Sequence, residues 1–161
     1  MYKRILVPVE NSPFDDAILQ HVRELAKLCG ASVVLIHVAD GWAARNANQL
    51  DLRESEEMRK DREYLEHLCD DLERDGIDAD SVLAGGEPSR EIVDAANREN
   101  CDLIAMSTHG HRFLKDIIYG SVANEVRHIT RVPVLLVRGG SGLERDTAER
   151  RAAIASRESK P

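Results

Sequence analysis

Five short, continuous apolar runs alternate with four amphipathic stretches along this chain, and this order constrains the fold more than any other feature of the sequence. The runs cover residues 5–9, 33–38, 79–84 (the weakest), 103–106 and 132–137. Continuous runs are typical of strands covered on both faces, as in parallel sheets. Strict alternation with short connections therefore predicts an α/β fold, an open five-stranded parallel sheet with helices on both faces.

The stretches between the apolar runs repeat apolar residues at helical spacing. We expect Ser12 to cap the first helix and Gly30 to end it. The second helix is predicted over about residues 52–75, and Pro88 and Ser121 begin the third and fourth. The apolar positions expected to face inward are Phe14, Ala17, Ile18, Val22, Leu25, Leu28, Met58, Leu65, Leu68, Leu72, Ile92, Val93, Ala96, Val122, Val126 and Ile129.

The sequence character changes after residue 140. The segment begins with a glycine-rich stretch typical of a linker and continues as a charged, alanine-rich tail. We expect one domain over residues 1–140 and a flexible charged tail over residues 141–161.

Charge and composition exclude several classes of protein. The formal charge is −7 and aromatic residues make up 4% of the chain, which argues against a protein that binds nucleic acid through a basic surface or through stacking aromatic residues. The three cysteines, Cys29, Cys69 and Cys101, form no CxxC pair and are expected to be small buried hydrophobes in a reducing compartment. No signal peptide or membrane-spanning run is evident, so we expect a cytoplasmic protein without membrane insertion.

In sheets of this kind, ligands bind beyond the carboxyl ends of the strands, where the strand order reverses. Residues 10–13 follow the first predicted strand, and residues 107–112 follow the fourth. Gly110 permits close approach of a ligand, and Gly120-Ser121 lies at a helix start whose amide groups favour phosphate. His111 and Arg112 add donors. Taken alone, Gly120-Ser121 is better explained as a turn followed by a helix cap, because glycine and serine often have that role.

Other catalytic motifs are absent or unsupported. The chain contains no Walker A, GxGxxG or GxSxG sequence. His109 and His111 form an HxH pair without an evident third metal ligand, so a structural or phosphate-contacting role is favoured. The spacing of Ser12, His37 and Asp40 does not support a catalytic triad. The carboxylates of Asp15, Asp16, Asp70 and Asp71 are most simply charges on helix surfaces.

Over residues 1–138 the chain resembles the universal stress protein family. The resemblance rests on the opening KRILVPVENS, on the end of the second strand at Val38, on STHG followed by GSV, and on the closing VPVLLV. The nucleotide-binding branch carries the motif G-x2-G-x9-G-[ST]. Here Gly110, Gly120 and Ser121 match its later positions with the correct spacing, and Ser107 stands at the first glycine position. Glu10 stands where the family usually has aspartate.

The resemblance implies a Rossmann-like sheet of order 3-2-1-4-5, a homodimer, and binding of ATP or a related adenine nucleotide. Because the chain lacks a P-loop lysine, we expect a divalent cation, Mg²⁺ or Mn²⁺, to neutralise part of the phosphate charge. Carried over by position, the adenine and ribose end would be lined by Pro8, Val9, Glu10 and Val38. The ribose and phosphates would contact Met106, Ser107, His109, Gly110, Gly120, Ser121 and Val122, with His111 and Arg112 nearby. The dimer would form through the last strand, from Val132 to Val137.

The sequence therefore predicts a stress-response protein that binds ATP and acts as a nucleotide-dependent regulatory or interaction module. Because no Walker lysine or general base is evident, hydrolysis of ATP is expected to be slow or absent. Two alternatives stay open. One is a dimeric interaction protein that binds no nucleotide, which analysis of a co-purified ligand would distinguish. The other is an adenylyl-transferring enzyme, which release of pyrophosphate from ATP would reveal.

Overall fold

The computed structural model describes residues 1–39, 56–109 and 118–139, within which five strands alternate with four helices. The strands are β1 (Arg4–Pro8), β2 (Ser32–Ala39), β3 (Ala79–Gly85), β4 (Leu103–His109) and β5 (Val134–Gly139). The helices are α1 (Asp15–Cys29), α2 (Glu56–Arg74), α3 (Pro88–Arg98) and α4 (Ile118–Ile129). The sheet order is β3-β2-β1-β4-β5 and all neighbouring strands are parallel. The predicted architecture and strand order are confirmed.

Helices cover both faces of the sheet, which explains why its central strands are continuously apolar. Ile5, Leu6 and Val7 of β1 are all fully buried, but successive side chains enter opposite cores. One core lies between the sheet and the helices α1 and α2. Their side chains in this core include Ile18, Val22, Leu65, Leu68 and Leu72. The other contains α3 and α4. Each residue of β1 therefore removes apolar surface from water whichever way it points.

The two edge strands differ from the central ones. In β3, Asp80 and Ser81 are exposed, which accounts for the weak apolar run there. The last strand begins at Val134 rather than Val132. Pro133, which has no N–H to donate, still accepts a hydrogen bond from the Ile104 amide at 2.9 Å. Leu136 is 40% exposed at this edge.

The start of α1 differs from the prediction. The helix begins at Asp15, and the residue at its N-cap position is Phe14 rather than Ser12. The Ser12 hydroxyl instead accepts from the Phe14 amide at 3.3 Å. Gly30 ends the helix as expected, with φ 64° in the left-handed region.

Asp15 is only 2% exposed, so its interpretation as a charge on the helix surface is wrong. The first turn of α1 faces the loop that follows β1, and this carboxylate binds that loop, as described below. A buried carboxylate is tolerated only when hydrogen bonds replace its hydration.

Three expectations about inward-facing residues are also wrong. Leu28 is 84% exposed, because steps of 100° along α1 bring it to the side away from Ile18, Val22 and the sheet. Ile129 is 47% exposed although it points the same way as Val126, because it is the last residue of α4. The expectation of buried cysteines is wrong for Cys29 and Cys69, which are only partly buried, and is confirmed for Cys101. No helix among the described residues is long and apolar enough to cross a membrane.

Candidate functional site

A cleft opens at the carboxyl ends of β1, β2 and β4. β1 lies between β2 and β4. The chain adds β2 and β3 on one side of β1 and then adds β4 and β5 on the other side, so the strand order reverses at this point. Ligands of open α/β sheets bind at such points. The cleft is lined by Pro8, Val9, Glu10, Ile36, His37, Val38, Pro88, Ile92, Met106, Ser107 and Val122.

Seven of the residues singled out from the sequence line this cleft together. They are Pro8, Val9, Glu10, Val38, Met106, Ser107 and Val122. His109 is the last residue of β4, on the strand that carries Met106 and Ser107. Gly110, His111 and Arg112 lie outside the described residues.

Gly120 and Ser121 lie in the first turn of α4, next to Val122 of the cleft. The helix begins at Ile118, so the expectation that Ser121 begins it, and the alternative of a turn followed by a cap, are both wrong. The amide groups of a first helical turn find no partners within the helix. Gly120 therefore belongs to the part of α4 that can offer backbone donors to an anion.

Four lining residues were missed by the sequence reasoning. Ile36 and His37 come from β2, and Pro88 and Ile92 from the beginning of α3. Pro88 was recognised only as a helix start. Pro88 lies at the cleft because α3 packs across β1 and β2. No local sequence pattern indicates this packing.

The amino end of α3 is held by Glu87. Its carboxylate accepts hydrogen bonds from the Ser89 amide at 3.2 Å, the Arg90 amide at 3.0 Å and the Ser89 hydroxyl at 2.6 Å. These bonds, the Ser89 hydroxyl foremost, lower the pKa of Glu87. The cap fixes the turn that brings Pro88 to the cleft.

The loop after β1 is bound by the buried Asp15 carboxylate. The Glu10 amide donates to both of its oxygens, at 3.1 and 3.0 Å, and the Ser12 amide donates at 3.1 Å. Between them, Asn11 has φ 58°, a conformation that asparagine tolerates better than most residues. The loop thus turns sharply immediately after Glu10.

Glu10 is the partly buried acid of the cleft. Burial, and after it the charge of Asp15, raises the pKa of Glu10 to about 7. Near neutral pH, Glu10 is therefore present both as a carboxylate that accepts and as an acid that donates. Such a group can pair with either kind of partner on a ligand.

His37 and Ser107 supply further polar groups. The Nδ1 atom of His37 donates to the Val9 carbonyl at 2.9 Å, and its Nε2 lies 3.3 Å from Asp61 Oδ2. The Ser107 hydroxyl is buried and, among the described residues, has no hydrogen-bond partner. An unsatisfied hydroxyl beside a cleft is free to rotate towards a ligand.

The cleft thus combines apolar walls with few polar groups. Its valine, isoleucine, proline and methionine side chains suit a flat, weakly polar ring, and Glu10 and Ser107 can fix its orientation. Within residues 1–39, 56–109 and 118–139, no group of three or more histidine, cysteine or acidic side chains is arranged to hold a metal ion.

Comparison with known proteins agrees with this architecture. The model of the universal stress protein family matches residues 1–138. Universal stress protein MJ0577 of Methanocaldococcus jannaschii is 32% identical over 158 residues, covering 86% of this chain and 96% of that protein. A solved structure of MJ0577 has a TM-score of 0.73 at 30% identity, covering 88% of this chain and 99% of its own.

Two more distant solved structures share the fold. A universal stress protein from Archaeoglobus fulgidus, in complex with dAMP, has a TM-score of 0.62 at 24% identity, over 84% of this chain and 97% of its own. Another universal stress protein, in complex with cAMP, has a TM-score of 0.64 at 18% identity, over 85% and 97%.

Proposed function

Since the chain belongs to the universal stress protein family, we propose that it binds ATP or a related adenine nucleotide and acts as a nucleotide-dependent regulatory module in the cytoplasm. The observation that carries the proposal is the cleft at the reversal of strand order, where residues from β1, β2, β4 and α4 converge. Two structures of the same fold, bound to dAMP and cAMP, support the ligand class.

The adenosine part would occupy the apolar section of the cleft. Val9, Val38 and Met106 offer flat contact to a purine, and burial of such a ring is favourable. Glu10 would bind the edge of the base or a ribose hydroxyl. The hydroxyl of Ser107 would turn towards the ligand and gain a hydrogen bond that none of the described residues provides.

The phosphates would lie towards the segment after β4 and the first turn of α4. Gly110 and Gly120 allow the backbone to approach them, and first-turn amides of α4 and the Ser121 hydroxyl would donate. His109, His111 and Arg112 would add side-chain donors. No Gly-Lys pair of a P-loop occurs in the sequence. A bound Mg²⁺ or Mn²⁺ would therefore neutralise phosphate charge that the protein itself does not neutralise.

The test starts with the native ligand. Mass spectrometry of the supernatant after denaturing the purified protein should identify an adenine nucleotide. Calorimetric titration of MgATP into ligand-stripped protein then measures the affinity. Glu10→Ala should weaken binding by roughly ten- to a hundredfold, because a hydrogen bond to a charged group is worth about 1.5–3 kcal/mol.

Position 120 provides a matched pair of variants. Gly120→Leu should block the phosphates, whereas Gly120→Ala adds one methyl group and favours the helix by about 1 kcal/mol. Loss of binding in Gly120→Leu alone supports the phosphate position. Equal affinity of Gly120→Leu and wild type would place the phosphates elsewhere, and a folded wild type that binds no ATP at millimolar concentration would refute nucleotide binding.

The protein is also proposed to form a homodimer through antiparallel pairing of its last strand. β5 is an edge strand and Leu136 is 40% exposed there, and an apolar edge of this kind invites pairing unless it is covered. Leu136→Lys should convert the dimer to monomer in analytical ultracentrifugation. Leu135→Lys is a less direct test, because Leu135 packs against the core. A wild type that sediments only as an 18.0 kDa species would contradict the dimer.

A further inference from the structure

Helix α2 reaches the Val9-Glu10 backbone of the cleft by two separate routes. One route ends at Tyr64 and the other at Asp61, which is one helical turn away on the same helix. Neither residue is among those that line the cleft within the described part of the chain. Both act through a second side chain that does touch the cleft backbone.

The first route runs through Asp15. The Tyr64 hydroxyl donates to Asp15 Oδ2 at 2.8 Å, and the same carboxylate accepts the Glu10 amide at 3.0 and 3.1 Å. Burial, followed by the bond to Asp15, raises the pKa of the Tyr64 hydroxyl, so Tyr64 remains a donor over the whole physiological range. The carboxylate is thereby held between the helix and the loop.

The second route runs through His37. Its Nδ1 donates to the Val9 carbonyl at 2.9 Å, and its Nε2 lies 3.3 Å from Asp61 Oδ2. The backbone carbonyl can only accept, so the proton on Nδ1 is assigned by this bond. Nε2 can donate to Asp61 only when the ring carries a proton there as well, and in that doubly protonated form Asp61 orients the imidazole that binds Val9.

Both routes contain acids that are almost fully buried. Asp15 is 2% exposed and Asp61 is 8% exposed. Removing such a group from water is costly unless its partners stay in place. Each route therefore favours one arrangement of α2 relative to Val9 and Glu10, and together they bind the amide side and the carbonyl side of the same peptide segment.

We infer that Asp61 and Tyr64 are positioning residues of the nucleotide cleft, through which displacement of α2 changes the affinity for the ligand. The inference rests on the proposed function, because the affinity concerned is that for an adenine nucleotide. Val9 and Glu10 line the cleft directly. A shift of their backbone moves both the apolar wall and the polar group that would contact the adenosine.

Tyr64→Phe is the most direct test, because it removes one oxygen and keeps the ring in the core. We expect the dissociation constant for MgATP, measured by calorimetry, to rise by roughly 2- to 30-fold, the range found for residues that act on a site indirectly. Asp61→Asn should act in the same direction. In ligand-free protein, the amide resonance of Glu10 should shift in Tyr64→Phe, because its acceptor Asp15 has lost a partner.

Two variants serve as controls. Tyr2→Phe removes the same atom from a tyrosine that packs against the same core, and Glu63→Gln neutralises an acid on the exposed side of α2. Both should leave the affinity and the Glu10 resonance unchanged. A lower melting temperature of Tyr64→Phe with unchanged affinity and an unchanged Glu10 resonance would overturn the inference and leave a purely structural role.

Failure of the proposed function gives a different result. If wild type binds no MgATP, nucleotide binding is refuted, while the Glu10 resonance still reports on the loop without any ligand. A shift in Tyr64→Phe but not in Tyr2→Phe then upholds the positioning of Glu10 by α2. Identical spectra in both variants would reject it.

Discussion

Replacing Glu10 with glutamine should stabilise the ligand-free protein at neutral and alkaline pH but not in acid. The folded protein raises the pKa of this acid from 4.5 to about 7. Between these values the folded state binds a proton that the unfolded chain has released. The stability of wild type therefore falls as the pH rises through this window, by the linkage between proton binding and unfolding. Glutamine has no such proton to lose.

The size of the effect follows from the same shift. At about 1.4 kcal/mol per pKa unit, a shift from 4.5 to about 7 corresponds to about 3 kcal/mol. Glu10 is only partly buried, and solvent screening reduces this figure. We expect Glu10→Gln to exceed wild type in free energy of unfolding by about 1–2 kcal/mol at about pH 8, and the advantage to disappear near pH 4.5.

Urea unfolding of both proteins across this pH range measures the difference directly. Other titrating groups are common to the two proteins, so they cancel in the difference. Glu63→Gln, at an exposed position on α2, should show a small and constant difference. A constant offset between Glu10→Gln and wild type from about pH 4.5 to about pH 8 would refute the raised pKa and with it the dual protonation of the cleft acid.

Three further predictions concern the cap, the buried hydroxyl and the tail. Glu87→Ala should lower the free energy of unfolding by about 0.5–2 kcal/mol at neutral pH, because it removes the cap of α3. Since the pKa of Glu87 is lowered, this contribution is present above about pH 4.5 and is lost as the pH falls further, and urea unfolding in acid measures the loss. Ser107→Ala should stabilise the free protein by about 1 kcal/mol, because it removes a buried hydroxyl that has no partner within residues 1–39, 56–109 and 118–139. It should also weaken MgATP binding in calorimetry, and unchanged affinity would exclude the hydroxyl as a ligand contact. Truncation after Gly140 should leave the melting temperature and nucleotide binding intact, because the removed segment has too few apolar residues to offset an ordering cost of about 1–2 kcal/mol per residue; a large fall in melting temperature would show that the tail docks on the domain.

Local sequence patterns were sufficient for the elements and their order. The run at residues 5–7 is continuously apolar because both faces of β1 are covered. The apolar run therefore indicates by itself that this strand is buried on both faces. Gly30 marks the end of α1 because its left-handed conformation suits glycine. The strand order and the residues at the cleft came from the family resemblance, whose motif spacing reflects the same topology.

Long-range packing decided what the local patterns could not. Asp15 looks like any acid in a first helical turn, but it is buried and accepts a hydrogen bond from Tyr64, which lies 49 positions away in the chain. His37 interrupts an apolar run, and nothing in that run indicates that its Nε2 lies 3.3 Å from Asp61. The spacing of a residue within its own helix or strand indicates which side of that element it faces. The residues that it contacts depend on which elements pack together in the folded chain. The sequence by itself therefore determined the sheet and its helices. Only the tertiary structure decided which buried side chains position Val9 and Glu10 of the cleft.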